Sequence, residues 1–393
     1  MRNISPVVLS AGISAHTATY VYDLDRLRQR CRILKDLPVA RKRIFFATMA
    51  NDHPAILSCI RALGLGVFVN SPAHLRLVRE LGFESTQIVY AASNMVAEEI
   101  RTCVEARVNL VLDSLGQIET LAGLIDHPIE VGIRLNVGSA LDRGAIRPDP
   151  AYRFGLLVEE LPKALELARH RGIKIVGAHS YFGTGLMEPK TLLDGLERLG
   201  LAASNLPDLR YLDVGGGLGV PDSFDDSEFD IKGYGRQADQ IMRSLENHAG
   251  RDLDFYIEPG RYLAADAGYF FVKVIDCKLR PDRAFVGTNG SVVNFPRPLM
   301  YPDYARHPCQ IIGERSKEPV HPHPVYICGN STYSQDFLAR NISLPLPAPG
   351  DTLVFQNAGA YGRSMITNFL GKDRPGEIIA DRAETASPAS RGA

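Results

Sequence analysis

Eight short apolar runs, rich in β-branched and aromatic residues, recur through the first two-thirds of the chain, at 44–48, 66–69, 88–91, 109–112, 130–135, 174–179, 211–214 and 255–258. Segments with helical spacing lie between them, clearest at 72–81, 97–105, 158–170 and 235–248. Continuous apolar strands alternating with amphipathic helices predict a parallel sheet covered by helices. Eight such units fit a closed (β/α)8 TIM barrel better than an open, doubly wound α/β sheet.

After residue 260 the pattern changes. Runs at 269–279, 283–288, 325–328 and 352–357 read as strands separated by Pro- and Gly-rich turns, with little helical periodicity. This region is expected to be all β. The run at 18–23 reads as a further strand, expected to join the β-domain from the N-terminal side. The expected organisation is therefore an N-terminal strand segment, 1–30, packing with the β-domain; a barrel over 31–265; a C-terminal β-domain over 266–382; and a disordered tail, 383–393, whose small and polar composition can bury little.

Length agrees with two domains, since 393 residues exceed the roughly 100–200 of a single ordinary core. The apolar fraction of 45% and charged fraction of 23% are those of a soluble globular protein. A formal net charge of −1 offers no basic surplus for nucleic acid or an anionic membrane. No apolar run approaches the ~20 residues that span a bilayer, and the first 15 residues make a poor signal peptide. Six scattered cysteines form no CxxC pair, so neither a metal site nor a disulfide framework is expected. A cytoplasmic enzyme is the expectation.

In a parallel barrel the catalytic face lies at the C-terminal ends of the strands. The seventh run ends in Asp213-Val214-Gly215-Gly216-Gly217-Leu218-Gly219. Glycines let backbone N–H groups approach and cradle a phosphate, although the same run also makes an ordinary tight turn. The eighth ends in Glu258-Pro259-Gly260-Arg261. Arg261 can grip a phosphate bidentately and Glu258 can hold a pyridine nitrogen protonated, or the two can be a local ion pair. Near the C-terminus, Gly359 permits an unusual turn and Tyr361 offers a hydroxyl; alone this is weak, because such a tyrosine more often packs. Together these residues favour a phosphorylated cofactor.

Phe46-Ala47-Thr48-Met49-Ala50-Asn51, His179 with Gly183-Thr184-Gly185, Gly215-Gly216-Gly217, Glu258-Pro259-Gly260-Arg261 and Gly359-Ala360-Tyr361 occur in an order that resembles the ornithine/diaminopimelate/arginine decarboxylases. These are pyridoxal-phosphate enzymes with an alanine-racemase-type barrel. The resemblance covers about 18–370. It implies that Gly215, Gly216, Gly217, Gly260, Arg261, Tyr361 and Thr184 surround pyridoxal 5'-phosphate, with Glu258 on the pyridinium nitrogen. It likens Arg297-Pro298…Tyr301 to a segment handling phosphate or a substrate carboxylate; an exposed loop arginine is the other reading. It also implies a homodimer, with the Thr332 segment reaching a partner's barrel.

The chain departs from that family where it matters most. The lysine that forms the Schiff base is replaced by Met49, which matches it in length but has no amine. Lys42 and Lys174 begin strands, at the wrong end of the barrel, and do not replace it. Tyr181 stands for the imidazole that stacks on the cofactor, Thr332 for the reactive cysteine and Tyr333 for the acid after it. An acid is also missing at Phe68, and His74 stands where a glutamate is usual.

The expected function is pyridoxal-phosphate-dependent decarboxylation of an amino acid, or of a conjugate carrying extra carboxylates. Met49, Tyr181, His179 and Thr332 would occupy the catalytic positions, and Arg297, Tyr301, Tyr333 and His74 the substrate side. Turnover is expected to be impaired by Met49. Either an ordinary active-site lysine has been replaced, or the chain is a branch that binds the cofactor or its adduct without decarboxylation. A racemase is the third alternative.

Overall fold

The computed structural model of the protein describes residues 4–138, 152–223, 226–302 and 305–382; the tail expected at 383–393 lies outside them. The chain divides into two compact units, one of 31–219 and 228–260, the other the described residues of 1–30, 220–227 and 261–393.

Strand β1 (Thr19–Asp23) belongs to the second unit, as its sequence led one to expect. The first unit is a barrel of β2 (Lys42–Ala47), β3 (Gly66–Val69), β4 (Ile88–Ala91), β5 (Asn109–Leu112), β6 (Ile129–Asn136), β8 (Ile173–His179), β9 (Tyr211–Asp213) and β10 (Asp254–Ile257). A two-residue strand, β7 (Leu156–Leu157), sits against the end of β6. All eight barrel strands pair in parallel, and β5 with β6 and β10 with β2 close the ring.

The barrel's filling follows from its sequence. Phe45, Val89, Ala91, Val111, Val176, Tyr211 and Tyr256 form one buried cluster, with Phe68 packed on it. Tyr211 and Tyr256 stack with ring centroids 4.3 Å apart. Room for Tyr211 comes from two strand glycines: a Cβ on Gly177 would lie 1.9 Å from that ring, and one on Gly132 would lie 2.4 Å from its hydroxyl. Larger residues there would overfill the layer. With the floor packed solid, open chemistry is confined to the strand ends.

The second unit is an eight-stranded sheet. Its strands are β1, β11 (Gly268–Arg280), β12 (Arg283–Thr288), β13 (Cys309–Ile312), β14 (Val325–Cys328), β15 (Phe337–Ile342), β16 (Thr352–Phe355) and β17 (Gly376–Ala380). The long β11 pairs antiparallel with β1, β12 and β16, and β17 runs parallel to β1. An N-terminal helix (Pro6–Ser14) lays Val8 into a cluster with Val21, Tyr269, Phe271 and Val354.

Candidate active site

At the C-terminal ends of β8, β9 and β10 stand His179, Asp213 and Glu258, on adjacent strands and all buried. Nε2 of His179 lies 3.3 Å from Oε2 of Glu258. The candidate ligand atoms of the three residues lie within 4.8 Å of one another. Nδ1 of His179, Oδ2 of Asp213 and Oε1 of Glu258 are buried without a hydrogen-bond partner. Burial drives the acid of Glu258 up to about 8 and the imidazole of His179 down to about 4. Asp213 is also held well above the carboxylate range, by burial and then by the negative charge of Glu258. The trio thus stands neutral or near neutral, with polar atoms waiting for a partner. Asp213 was not singled out for chemistry in the sequence, where it merely introduces the glycine run.

The glycine run follows directly. Gly215 donates its N–H to Oδ1 of Asp213, 2.9 Å away, and accepts from the N–H of Glu258 over 2.7 Å. Gly217 has φ +95°, and a Cβ there would lie 2.4 Å from the carbonyl oxygen of Gly183. At Gly216 the same atom would meet the Glu258 carbonyl at 2.6 Å. Close strand–loop packing therefore demands glycine whatever binds. In addition, no acceptor among the described residues receives the N–H of Gly216 or Gly217. Half-buried Tyr181 borders Gly215, while Thr184 is exposed.

Met49 lies in a single 3-10 turn (Thr48–Ala50) after β2, half-buried between buried Thr48 and Ala50. The Thr48 hydroxyl donates to the carbonyl of Phe68 at 3.0 Å and so accepts from Nδ1–H of His74, 3.1 Å away. Nε2 of His74 faces the Asp52 carboxylate at 3.8 Å. Phe68, standing where an acid was expected by resemblance, lies parallel to the His179 ring with centroids 6.3 Å apart. A Cβ on Gly260 would come within 2.8 Å of Ala50, so this glycine lets the β10 loop pass close to the Met49 turn. Arg134 supplies positive charge: its Nη1 is 3.9 Å from Asp113, and it lies over the Phe154 ring. Neither Arg134 nor Asp113 carried a motif that sequence reading could use.

The second unit gathers its own cations. The Arg261 guanidinium sits 4.8 Å from the Tyr361 ring centroid. Arg297 is 6% exposed and lowered to about 10, by burial and then by the charge of Arg261. Its Nη1 donates to Nε2 of His307 over 3.0 Å. His307, which sequence reading passed over, donates from Nδ1 to the carbonyl of Gln356 at 3.0 Å. Tyr301 is exposed. Tyr361 holds a left-handed φ of +57°, and Gly359 could carry no Cβ, since it would fall 1.9 Å from the Ala264 carbonyl. In the 329–336 loop, buried Asp336 accepts from Ser291, Ser331 and the N–H of Val292, leaving Thr332 exposed and the Tyr333 ring edge-on to Phe369.

Comparison with known proteins agrees with this layout. The pyridoxal-binding domain of the pyridoxal-dependent decarboxylases matches residues 24–265, more than half the chain. Diaminopimelate decarboxylase of Methanothermobacter thermautotrophicus is 28% identical over 92% of this chain and 86% of its own length. That of Helicobacter pylori (strain J99) is 29% identical over 93% and 90%. The fold is that of the Helicobacter pylori diaminopimelate decarboxylase solved with L-lysine, with a TM-score of 0.85, 23% identity and coverage of 95% and 94%. It is also that of the lysine/ornithine decarboxylase of Vibrio vulnificus solved with putrescine, with a TM-score of 0.82, 21% identity and coverage of 96% and 99%. With a closed parallel barrel, a buried acid beside a glycine turn and a family match spanning both, the chain belongs to the pyridoxal-dependent decarboxylases.

Proposed function

We propose that the barrel holds pyridoxal 5'-phosphate without a covalent bond, at a site that serves amino-acid decarboxylation and is handicapped by Met49. The observation that carries this is Glu258, a carboxyl buried at the strand ends whose Oε1 faces no donor other than the neighbouring acid Asp213. Burial raises its acidity constant and favours the protonated form. As a carboxylate, Glu258 would accept the N–H of a protonated pyridine ring and supply its counter-charge. The free N–H groups of Gly216 and Gly217 fit an oxyanion such as the cofactor's phosphate. The cofactor, when bound, contributes the electron-withdrawing ring that makes loss of carbon dioxide from an amino acid feasible.

The chain's own residues then divide the work. Glu258 keeps the ring nitrogen charged, and His179 holds Glu258 in place. Tyr181 is the residue for stacking on the ring. Met49 can neither exchange the cofactor onto a substrate amine nor return a proton. Buried Arg297, still charged at neutral pH and hydrogen-bonded to His307, favours a substrate with a further carboxylate. Asp222 acts on Arg297 through its charge, and the hydrogen bond of Nη1 goes to His307, which is neutral, so an acidic ligand would add the charged hydrogen bond the guanidinium does not make there. The lost acids at Phe68 and Tyr333 argue against a simple diamine product precursor such as ornithine. The exposed Thr332 loop supports a homodimer in which it faces a second copy; light scattering that finds only monomer at micromolar concentration removes that part of the reading.

Met49 itself supports a second reading, a protein that binds the cofactor and performs no chemistry. Release of carbon dioxide from a panel of acidic and neutral amino acids, with pyridoxal phosphate added, separates the two. The decarboxylase reading expects little release by this sequence and at least a hundredfold more from Met49→Lys. If Met49→Lys binds the cofactor and decarboxylates nothing in the panel, the non-catalytic reading stands.

A further inference from the structure

A site that holds an aldehyde by a lysine favours that aldehyde over its amine counterpart, because only the aldehyde can be captured covalently. We infer that this barrel has lost that preference, and that it binds pyridoxamine 5'-phosphate at least as tightly as pyridoxal 5'-phosphate. The inference rests on the cofactor reading above and concerns which form of the cofactor the site takes.

No amine in the barrel unit is placed to take Met49's role. Lys42 is the first residue of β2 and donates to the carbonyl of Val39; Lys174 is exposed near the start of β8. Both stand at the strand ends opposite the candidate site. Lys35 donates to the Leu63 carbonyl and Lys190 is bound to Asp194, while Lys163 and Lys232 are exposed on helices. The 13 undescribed residues between 138 and 152 contain no lysine. Thiols offer no substitute: Cys31, Cys59 and Cys103 are buried in helices, and burial pushes Cys31 and Cys103 up to about 12. The Thr48 hydroxyl, beside Met49, is already spent on Phe68 and His74.

With capture gone, both forms are held by the same groups, the Gly216–Gly217 amides and Glu258. They differ only in the substituent next to the ring, a neutral aldehyde in one and an ammonium in the other. Glu258 is matched by the ring nitrogen and Asp213 is held neutral, so the charges left at the strand ends are Asp52 beside His74 and Asp113 beside Arg134, which set no unmatched positive charge against the ammonium.

The test is equilibrium dialysis of the full chain against each form, with pyridoxine 5'-phosphate as the neutral control, followed by borohydride and peptide mass mapping. The expected result is an amine-form Kd no larger than the aldehyde's, and no label on the barrel after reduction. Met49→Lys should tighten the aldehyde at least tenfold, leave the amine form unimproved, and trap the label at residue 49. A more than tenfold preference of the unaltered chain for the aldehyde overturns the inference and leaves the cofactor reading intact. If no form binds the unaltered chain or Met49→Lys, the cofactor reading itself fails. The comparison of the two forms needs only the unaltered chain, so a poorly folding variant does not blunt it.

Discussion

Glu258 and His179 meet inside the barrel with Oε2 and Nε2 3.3 Å apart, and burial moves them in opposite directions, the acid up to about 8 and the imidazole down to about 4. The two therefore bend stability against pH with opposite signs. Between about 6.5 and 4 the unfolded chain takes up a proton on His179 that the folded chain refuses, so stability is lost as pH falls. Glu258 behaves in reverse: the folded chain keeps a proton the unfolded chain has released, a contribution complete below the ordinary carboxylate value and lost as pH rises through about 8. From pH 6.5 to 8 the histidine effect is gone and the raised carboxyls remain: Glu258 contributes a limiting slope of about 1.4 kcal/mol per pH unit for its one proton, and Asp213, also held well above the carboxylate range, acts with the same sign. Cofactor-free protein should thus show a falling urea midpoint across that interval, and Glu258→Gln should make the fall shallower, Asp213 keeping its burial. A midpoint that rises identically in both proteins would show that Glu258 is not held protonated.

Gly217 is a harder constraint than a generic turn glycine. Its φ of +95° and the 2.4 Å approach that a Cβ would make to the Gly183 carbonyl act together. Gly217→Ala is expected to cost about 1–3 kcal/mol of stability. It should also weaken cofactor binding, because the loop that offers its amides must move. Gly250, with φ +63° and open space around it, is the control: an alanine there costs only the backbone term. Equal losses at the two positions in urea melts would count against close packing at Gly217.

The barrel was legible because its strands are buried on both sides. Continuous apolar runs placed β3, β4 and β5 to the residue and the remaining barrel strands within two residues of their ends. The spacing predicts the last long helix from 235, but it begins at Ile231. Gly233 and Gly235 weaken its propensity, yet Asp230 caps the N–H of Gly233 at 2.8 Å, and Gly235 lies so near Pro38 that a Cβ would be 2.5 Å away. The edge strands β13, β15 and β17 give no clear strand signal because they are short and half-exposed, with polar residues such as Arg340 and Asn341 interrupting the apolar ones. At the site, glycines and Glu258 carry motifs and could be read. Asp213, Arg134 and His307 gain meaning only from neighbours far away in the chain, which no local pattern announces.

His307 orients Arg297 without competing for its charge. Burial first, and then the positive charge of Arg297, drive the imidazole down to about 3, so it is neutral throughout the physiological range and accepts through Nε2. His307→Gln retains an acceptor and a donor; His307→Leu retains neither. If Arg297 binds an acidic ligand, the leucine variant should raise the Kd for a polycarboxylate such as citrate about tenfold, roughly the 1–2 kcal/mol of one misplaced charged hydrogen bond, and glutamine should recover most of it. Calorimetric titration at pH 7 reads this directly. Equal affinity in all three proteins would leave His307 a packing residue against Phe295, where its ring already sits at 4.5 Å.

Asp266 is the acid on which Arg26 and Arg30 converge. Arg30 donates to it from Nε and Nη2, and Arg26 does the same, with Nη2 contacts of 2.5 Å from each arginine. Burial alone would raise the acid, but the two guanidiniums outweigh it and hold it below the ordinary carboxylate range. Its stabilising contribution is therefore present above that range and lost as pH falls through the lowered value. Removing the carboxylate takes from Arg30, 3% exposed, the acid that its Nε and Nη2 both reach. Asp266→Ala should cost about 3–5 kcal/mol, the range for breaking one side of a buried pair. Asp266→Leu with Arg30→Met, which removes both charges and keeps the volume, should recover most of it. Should the single variant melt with the unaltered chain, Arg30 must have found another acid, and this cluster does not anchor the unit.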